Sequence, residues 1–134
     1  MGVTHEPDSK AHAMRISAQA VDVVYGRPAA GVRVRIDRKI TDVYGNADEW
    51  VTVAQAETDG DGCIDLQDWT VDHRLGPGPY RLVFDSDAYF ATLGLSAAYK
   101  EVSVEVRLTD DSDGCQVEVR LAPYSYSMFF GLRG

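Results

Sequence analysis

Glu118 and Arg120 are the residues best suited, by type and spacing, to do chemistry. They lie in the segment 115–121, where apolar Cys115, Val117, Val119 and Leu121 alternate with Gln116, Glu118 and Arg120. In an extended chain this period of two puts Gln116, Glu118 and Arg120 on one face. A carboxylate there can take a proton while the neighbouring guanidinium donates hydrogen bonds. An exposed ion pair accounts for the same two residues with no chemistry, and such a pair is worth little in stability. Tyr126 and Ser127 add hydroxyl donors near the C-terminus.

Other reactive types are scattered. Cys63 and Cys115 form no Cys-x-x-Cys pair, and His5, His12 and His73 lie far apart, so no structural zinc site is expected. Asp59-Gly60-Asp61-Gly62 lacks the twelve-residue loop and closing Glu of a calcium site and reads as a turn. No metal is expected. With 21 acidic against 13 basic residues the net charge is −8, the wrong sign for nucleic acid. No apolar run approaches the ~18 residues of a membrane span. Two cysteines without a secretory segment point to reduced thiols and a cytoplasmic protein.

The elements that must position these groups are mostly strands. Residues 15–24 are rich in β-formers and end at Tyr25-Gly26-Arg27-Pro28, a turn. Val32, Val34 and Ile36 alternate with charged residues, the mark of a half-buried strand. Extended stretches are also expected over 50–57, 63–66, 80–84, 102–108 and 115–121, with a terminal strand from Pro123 to Gly131. One helix is expected, Asp87 to Leu95, capped by Ser86. Short, evenly spaced strands with one helix predict an all-β sandwich in a single domain, 14–134, after a loose leader, 1–13.

Several blocks resemble one family. Gly26-Arg27-Pro28-Ala29-Ala30-Gly31-Val32 is similar to a Gly-Lys-Pro-Ala-Ala-Gly-Val signature, and Thr58-Asp59-Gly60-Asp61-Gly62 to Thr-Asn-Ala-Asp-Gly. Pro123-Tyr124-Ser125-Tyr126-Ser127-Met128-Phe129-Phe130-Gly131 resembles a closing strand, Pro-Tyr-Gly-Tyr-Ser-Thr-Tyr-Arg-Gly. These are marks of the 5-hydroxyisourate hydrolases and their relative transthyretin. The resemblance covers about Met14 to Gly131. It implies a transthyretin-like β-sandwich of two antiparallel sheets with one short helix, assembled as a homotetramer, a dimer of dimers around a central channel.

The residues that do chemistry in the family differ here. Gln19 and Gln116 stand where it has histidines, Cys63 and Phe130 where it has arginines, and Leu132 where it has the closing serine. The resemblance therefore implies a divergent member without the hydrolase residues. The inferred pocket sets a greasy wall of Met128, Phe130 and Leu132 against Gln116, Glu118 and Arg120, with Ser17, Gln19 and Cys63 alongside. It suits a small amphipathic molecule and no cofactor. Some bacterial relatives of this fold are similar to cofactor-free cyclases of secondary-metabolite biosynthesis. By that likeness Glu118 is the base and Arg120, Tyr126 or Ser127 the hydrogen-bond donor. A non-catalytic ligand-binding protein is the alternative.

Overall fold

The computed structural model describes residues 15–41, 45, 48–65, 68–71, 75–109 and 114–133. The expected leader, 1–13, and the three histidines fall outside them. In chain order the described elements are β1 (Arg15–Asp22), β2 (Arg27–Pro28), β3 (Arg33–Thr41), β4 (Asp48–Glu57), β5 (Cys63–Ile64), β6 (Thr70–Val71) and β7 (Gly78–Phe84). A helix, α1 (Ser86–Thr92), precedes β8 (Val102–Leu108), β9 (Gly114–Ala122) and β10 (Ser125–Arg133). No helix among the described residues is long and apolar enough to cross a membrane.

The expected sandwich is present. One sheet has the order β10-β9-β1-β2, with β5 also paired to β1; the other has the order β6-β4-β3-β7-β8. Alternation produces both inner faces. Ile16, Ala18 and Ala20 of β1 and Cys115, Val117, Val119 and Leu121 of β9 join Val34, Ile36, Tyr80, Leu82 and Phe84 in one buried core. β1 and β9 run parallel, from Arg15 opposite Gly114 to Asp22 opposite Leu121. The remaining pairings are antiparallel. A parallel pair needs a long crossover, and here almost the whole chain supplies it.

Two local features depart from simple alternation. The β3–β4 register jumps from Ile36 opposite Ala54 to Asp37 opposite Thr52, a bulge that leaves Val53 and Ala54 both buried. Asp37 then lies on the outer face, yet only 2% of its surface is exposed. Its carboxylate accepts from Arg81 Nη2 at 2.8 Å, Thr52 Oγ1 at 2.8 Å and Arg35 Nε at 3.2 Å. The helix begins one residue earlier than expected. Asp85, not Ser86, is the cap: its side chain accepts from Ala88 N at 3.2 Å, and its own N–H is tied to Arg33 O. Ser86 is instead a buried first-turn residue.

The helix is locked to the first sheet through Asp22, which is fully buried. Tyr89 OH donates to Asp22 Oδ2 at 2.6 Å, and Oδ1 accepts from Val24 N and Tyr25 N in the β1–β2 turn. Burial first, then the bond to Asp22, pushes the Tyr89 hydroxyl up to about 12, so it stays protonated as the donor. Close approach of β5 to β1 requires Gly62. Its φ is 76°, and a Cβ there would collide with the Ala20 carbonyl.

Acid sensitivity should follow Asp37. Burial works to raise its pKa, but hydrogen bonds from Arg81 and Thr52 and the charge of Arg35 win and hold it below the usual 3.8. A carboxyl whose folded pKa is depressed adds stability above its unfolded value and loses it as pH falls through the folded one. Asp37→Asn should cost roughly 1–3 kcal/mol at neutral pH. Urea unfolding midpoints of that variant should then fall less steeply than those of the parent below about pH 4. Equal slopes would show that Asp37 carries no acid-linked stability.

Candidate functional site

The outer face of the first sheet gathers most of the residues singled out above. Register places Ser17 opposite Gln116, Gln19 opposite Glu118 and Val21 opposite Arg120, while β5 brings Cys63 opposite Gln19. These groups share a face because their neighbours in sequence, Ile16, Ala18, Ala20, Val117 and Val119, fill the core. Glu118 and Arg120 form the expected pair, with Arg120 Nε 2.9 Å from Glu118 Oε2. Their side chains are 29% and 51% exposed, so the pair is partly open to solvent.

β10 completes the face with different residues from those expected. Its antiparallel register sets Gly131 opposite Gln116, Phe129 opposite Glu118 and Ser127 opposite Arg120. Ser127 is therefore on the same face as Arg120. Met128, Phe130 and Tyr126 are opposite Val119, Val117 and Leu121, on the side of the core. Met128 packs against that core, and Tyr126 lies edge-on to Tyr99 at 5.3 Å. Met128 is thus corrected as part of a wall facing Glu118, as is Tyr126 as a donor there, whereas Phe130 does line the depression beside Glu118. Leu132 pairs with Cys115 on the backbone; its side chain is outside the described set.

A turn of two residues is the physical reason. Ser125 pairs with Ala122, leaving only Pro123 and Tyr124 between the strands, so even-numbered residues of β9 meet odd-numbered residues of β10. Pro123-Tyr124 was a readable signal for this register. Phe129 is the functional candidate that alternation along β10 alone missed. Phe129 is 52% exposed, and the Arg120 guanidinium carbon lies 5.0 Å from its ring centre. An open depression of about 240 Å³ lies here, lined by Gln116, Glu118, Phe129, Phe130 and Gly131. Phe130, though opposite Val117, reaches its rim.

A larger depression, about 400 Å³, lies on the second sheet between Arg33, Arg35, Gln55, Glu57, Val83 and Asp85. There Arg35 is already bonded to Asp37, Arg33 faces Glu57 across the strands, and Asp85 caps the helix. Among the described residues no group of His, Cys, Asp and Glu is arranged to hold a metal. The face around Glu118 and Arg120 is the better candidate, because it joins a carboxylate, a guanidinium and an exposed ring.

Two candidates on that face are restrained by their surroundings. Ser17 Oγ is shielded from solvent and has no hydrogen-bond partner among the described residues. Burial pushes the Cys63 thiol up, and the charges of Asp59, Asp65 and Asp61 add to it. Cys63 is therefore a poor nucleophile at neutral pH. Its alkylation by iodoacetamide at about pH 7 should run several-fold slower than that of free cysteine, and Asp59→Asn should speed it. A rate equal to free cysteine would remove the acidic loop as the cause. Cys115, fully buried, should react only on unfolding.

Comparison with known proteins agrees with this architecture. Residues 16–131 match the HIUase/Transthyretin family. A probable 5-hydroxyisourate hydrolase of Caenorhabditis elegans is 30% identical over 87% of this chain and 80% of its own length. The 5-hydroxyisourate hydrolase of Salmonella typhimurium is 28% identical over 87% and 79%. Among solved structures, transthyretin from Sparus aurata superposes with a TM-score of 0.78 at 22% identity, covering 90% of this chain and 98% of that one. The Klebsiella pneumoniae 5-hydroxyisourate hydrolase gives 0.70 at 24% identity, covering 88% and 93%. A sea bream transthyretin solved with thyroxine gives 0.75 at 22% identity, covering 88% and 95%. The family match over residues 16–131 and the superposed folds agree: the chain belongs to the HIUase/transthyretin family.

Proposed function

We propose that this protein is a cofactor-independent enzyme that closes a ring on an amphipathic molecule, as in bacterial polyketide biosynthesis, and has lost hydroxyisourate hydrolysis. The observation that carries this reading is the Glu118–Arg120 pair beside the exposed ring of Phe129. Gln19 and Gln116 cannot titrate, and the described residues include no histidine, so Glu118 is the base at hand on this face. Loss of water from a β-hydroxy carbonyl gives an enone, and a hydroxyl of the same molecule then adds to its β-carbon. Glu118 takes the hydroxyl proton as the new C–O bond forms. Arg120 or Ser127 donates to the enolate oxygen, and the proton returns to the α-carbon. Holding the reacting ends together in a cavity supplies much of the acceleration.

A second reading is a ligand carrier. The sea bream transthyretin solved with thyroxine favours it, and an aromatic ring beside a guanidinium needs no base to bind a ligand. Glu118→Gln separates the two. With an open-chain hydroxy-enone as substrate, loss of enone absorbance should slow by about 100-fold or more in that variant. An unchanged rate removes Glu118 as base, and no ring closure by the parent decides for the carrier. Rapid decay of 5-hydroxyisourate absorbance with the parent would overturn the loss of hydrolysis.

We further infer a homotetramer, a dimer of dimers that places the β9–β10 face in a shared channel. Both sheets end in strands, β10 and β8, with one side unpaired among the described residues. Val23, Val24 and Tyr25 stand exposed in the β1–β2 turn, and Tyr124 in the β9–β10 turn, as apolar surface for a partner. Light scattering should give four times the monomer mass; a monomer would sink the shared channel.

A further inference from the structure

The outer face of the second sheet holds two opposite charges that do not meet. Arg33 of β3 and Glu57 of β4 are register partners, and both are exposed. Residues so paired have Cβ atoms ~5 Å apart, close enough for an ion pair. None forms, and neither side chain has another hydrogen bond or ion pair among the described residues. Glu57 Oε2 reaches instead over Gly31, 3.7 Å from where a Cβ would stand on that glycine. Arg35, next along this face of β3, is drawn the other way, with its Nε bonded to Asp37 at 3.2 Å. The depression of about 400 Å³ lies among these groups.

Its lining selects among ligands. Val83 is opposite Arg35 on β7 and only 2% exposed although it belongs to the outer face, so it forms an apolar floor. Gln55, opposite Arg35 on β4, adds an amide that donates and accepts. Arg33 offers a planar fork that fits a carboxylate. Glu57 offers acceptor oxygens that fit an ammonium group. A simple anion would meet Arg33 but also Glu57 and Asp85, in a protein of net charge −8. A simple cation would answer Glu57 and be repelled by Arg33. A small molecule carrying both charges answers both residues and adds no net charge.

We propose that this depression is a binding site for a free α-amino acid with an aliphatic side chain. The carboxylate meets Arg33, the ammonium group meets Glu57, and the side chain covers Val83. Both ionic groups of an amino acid are carried on one carbon, so one small molecule bridges the gap that Arg33 and Glu57 leave open. The site is on the opposite side of the sandwich from Glu118, and the assembly inferred above encloses the other sheet's face. It depends on neither ring closure nor the tetramer.

Titration of the full chain with L-leucine, followed by backbone amide shifts in NMR spectra, tests it. Saturable shifts at Arg33, Gln55 and Val83 are expected, with a Kd on the order of 1 mM for a ligand of so few atoms. 4-Methylpentanoate lacks the ammonium group and 3-methylbutylamine lacks the carboxylate, and each should bind about fivefold more weakly. Arg33→Gln and Glu57→Gln should each weaken leucine binding to a similar degree. Both variants should melt within about 2 °C of the parent, because the side chains they change are exposed. Glu118→Gln should bind leucine as the parent does. Equal binding by 4-methylpentanoate would make this an anion site, and equal binding by 3-methylbutylamine a cation site; either result overturns the proposal. So does leucine binding unchanged in Arg33→Gln, or a parent that shows no shifts at roughly ten times the expected Kd.

Discussion

The parallel pairing of β1 with β9 is the constraint on which the rest of the molecule depends. It brings residues 15–22 against 114–121, nearly a hundred positions later. Its register sets two things at once. Ile16, Ala18 and Ala20 join Cys115, Val117 and Val119 inside, and Ser17 and Gln19 join Gln116 and Glu118 outside. A slip of β9 by one residue would turn Gln116, Glu118 and Arg120 into an apolar core. The apolar positions are therefore what hold the polar row in line. Contacts so distant in sequence form late and cost loop closure, so the intervening hairpins and the second sheet must supply much of the order first.

The site itself adds little to that stability. Glu118 and Arg120 are half open to solvent, and such pairs are worth under about 1 kcal/mol. Asp37 and Asp22 contrast with them. Both are nearly or fully buried, each accepts hydrogen bonds from three residues, and both tie elements together: Asp37 joins β3, β4 and β7, and Asp22 joins β1, its following turn and the helix. Structural carboxylates thus have several donors, and Glu118 has one, Arg120, among the described residues. That difference separates a group kept for architecture from one open to a ligand.

Much of this was legible in the sequence because burial leaves a period of two. Val32–Ile36, 102–108 and 115–121 announce strands, and the sandwich follows from their spacing. The bulge at Val53 was hidden, since two adjacent small apolar residues in β4 break the period without naming a cause. The helix cap moved to Asp85 because the β3 contact at Arg33 O fixes that residue's backbone first. On the site face, Gln19, Gln116 and Cys63 were placed by alternation and by family resemblance, and register sets them side by side. β10 was misread because its own alternation says which residues share a face, but not which face meets β9. Only the two-residue turn carries that information, and it moved Phe129 in and Met128 and Tyr126 out.

The composition of β10 has a consequence for solubility. From Ser125 to Leu132 the strand has no charged residue and no proline, and it holds an edge of its sheet. Natural proteins blunt such edges with lysine, proline or a bulge, because an open, uncharged edge is a template for strand addition by any other chain. A short aromatic segment with high strand propensity and low charge is also the pattern that stacks into cross-β fibres. A single protomer thus carries its own route to aggregation. A partner that pairs with this edge would guard the folded chain against such growth.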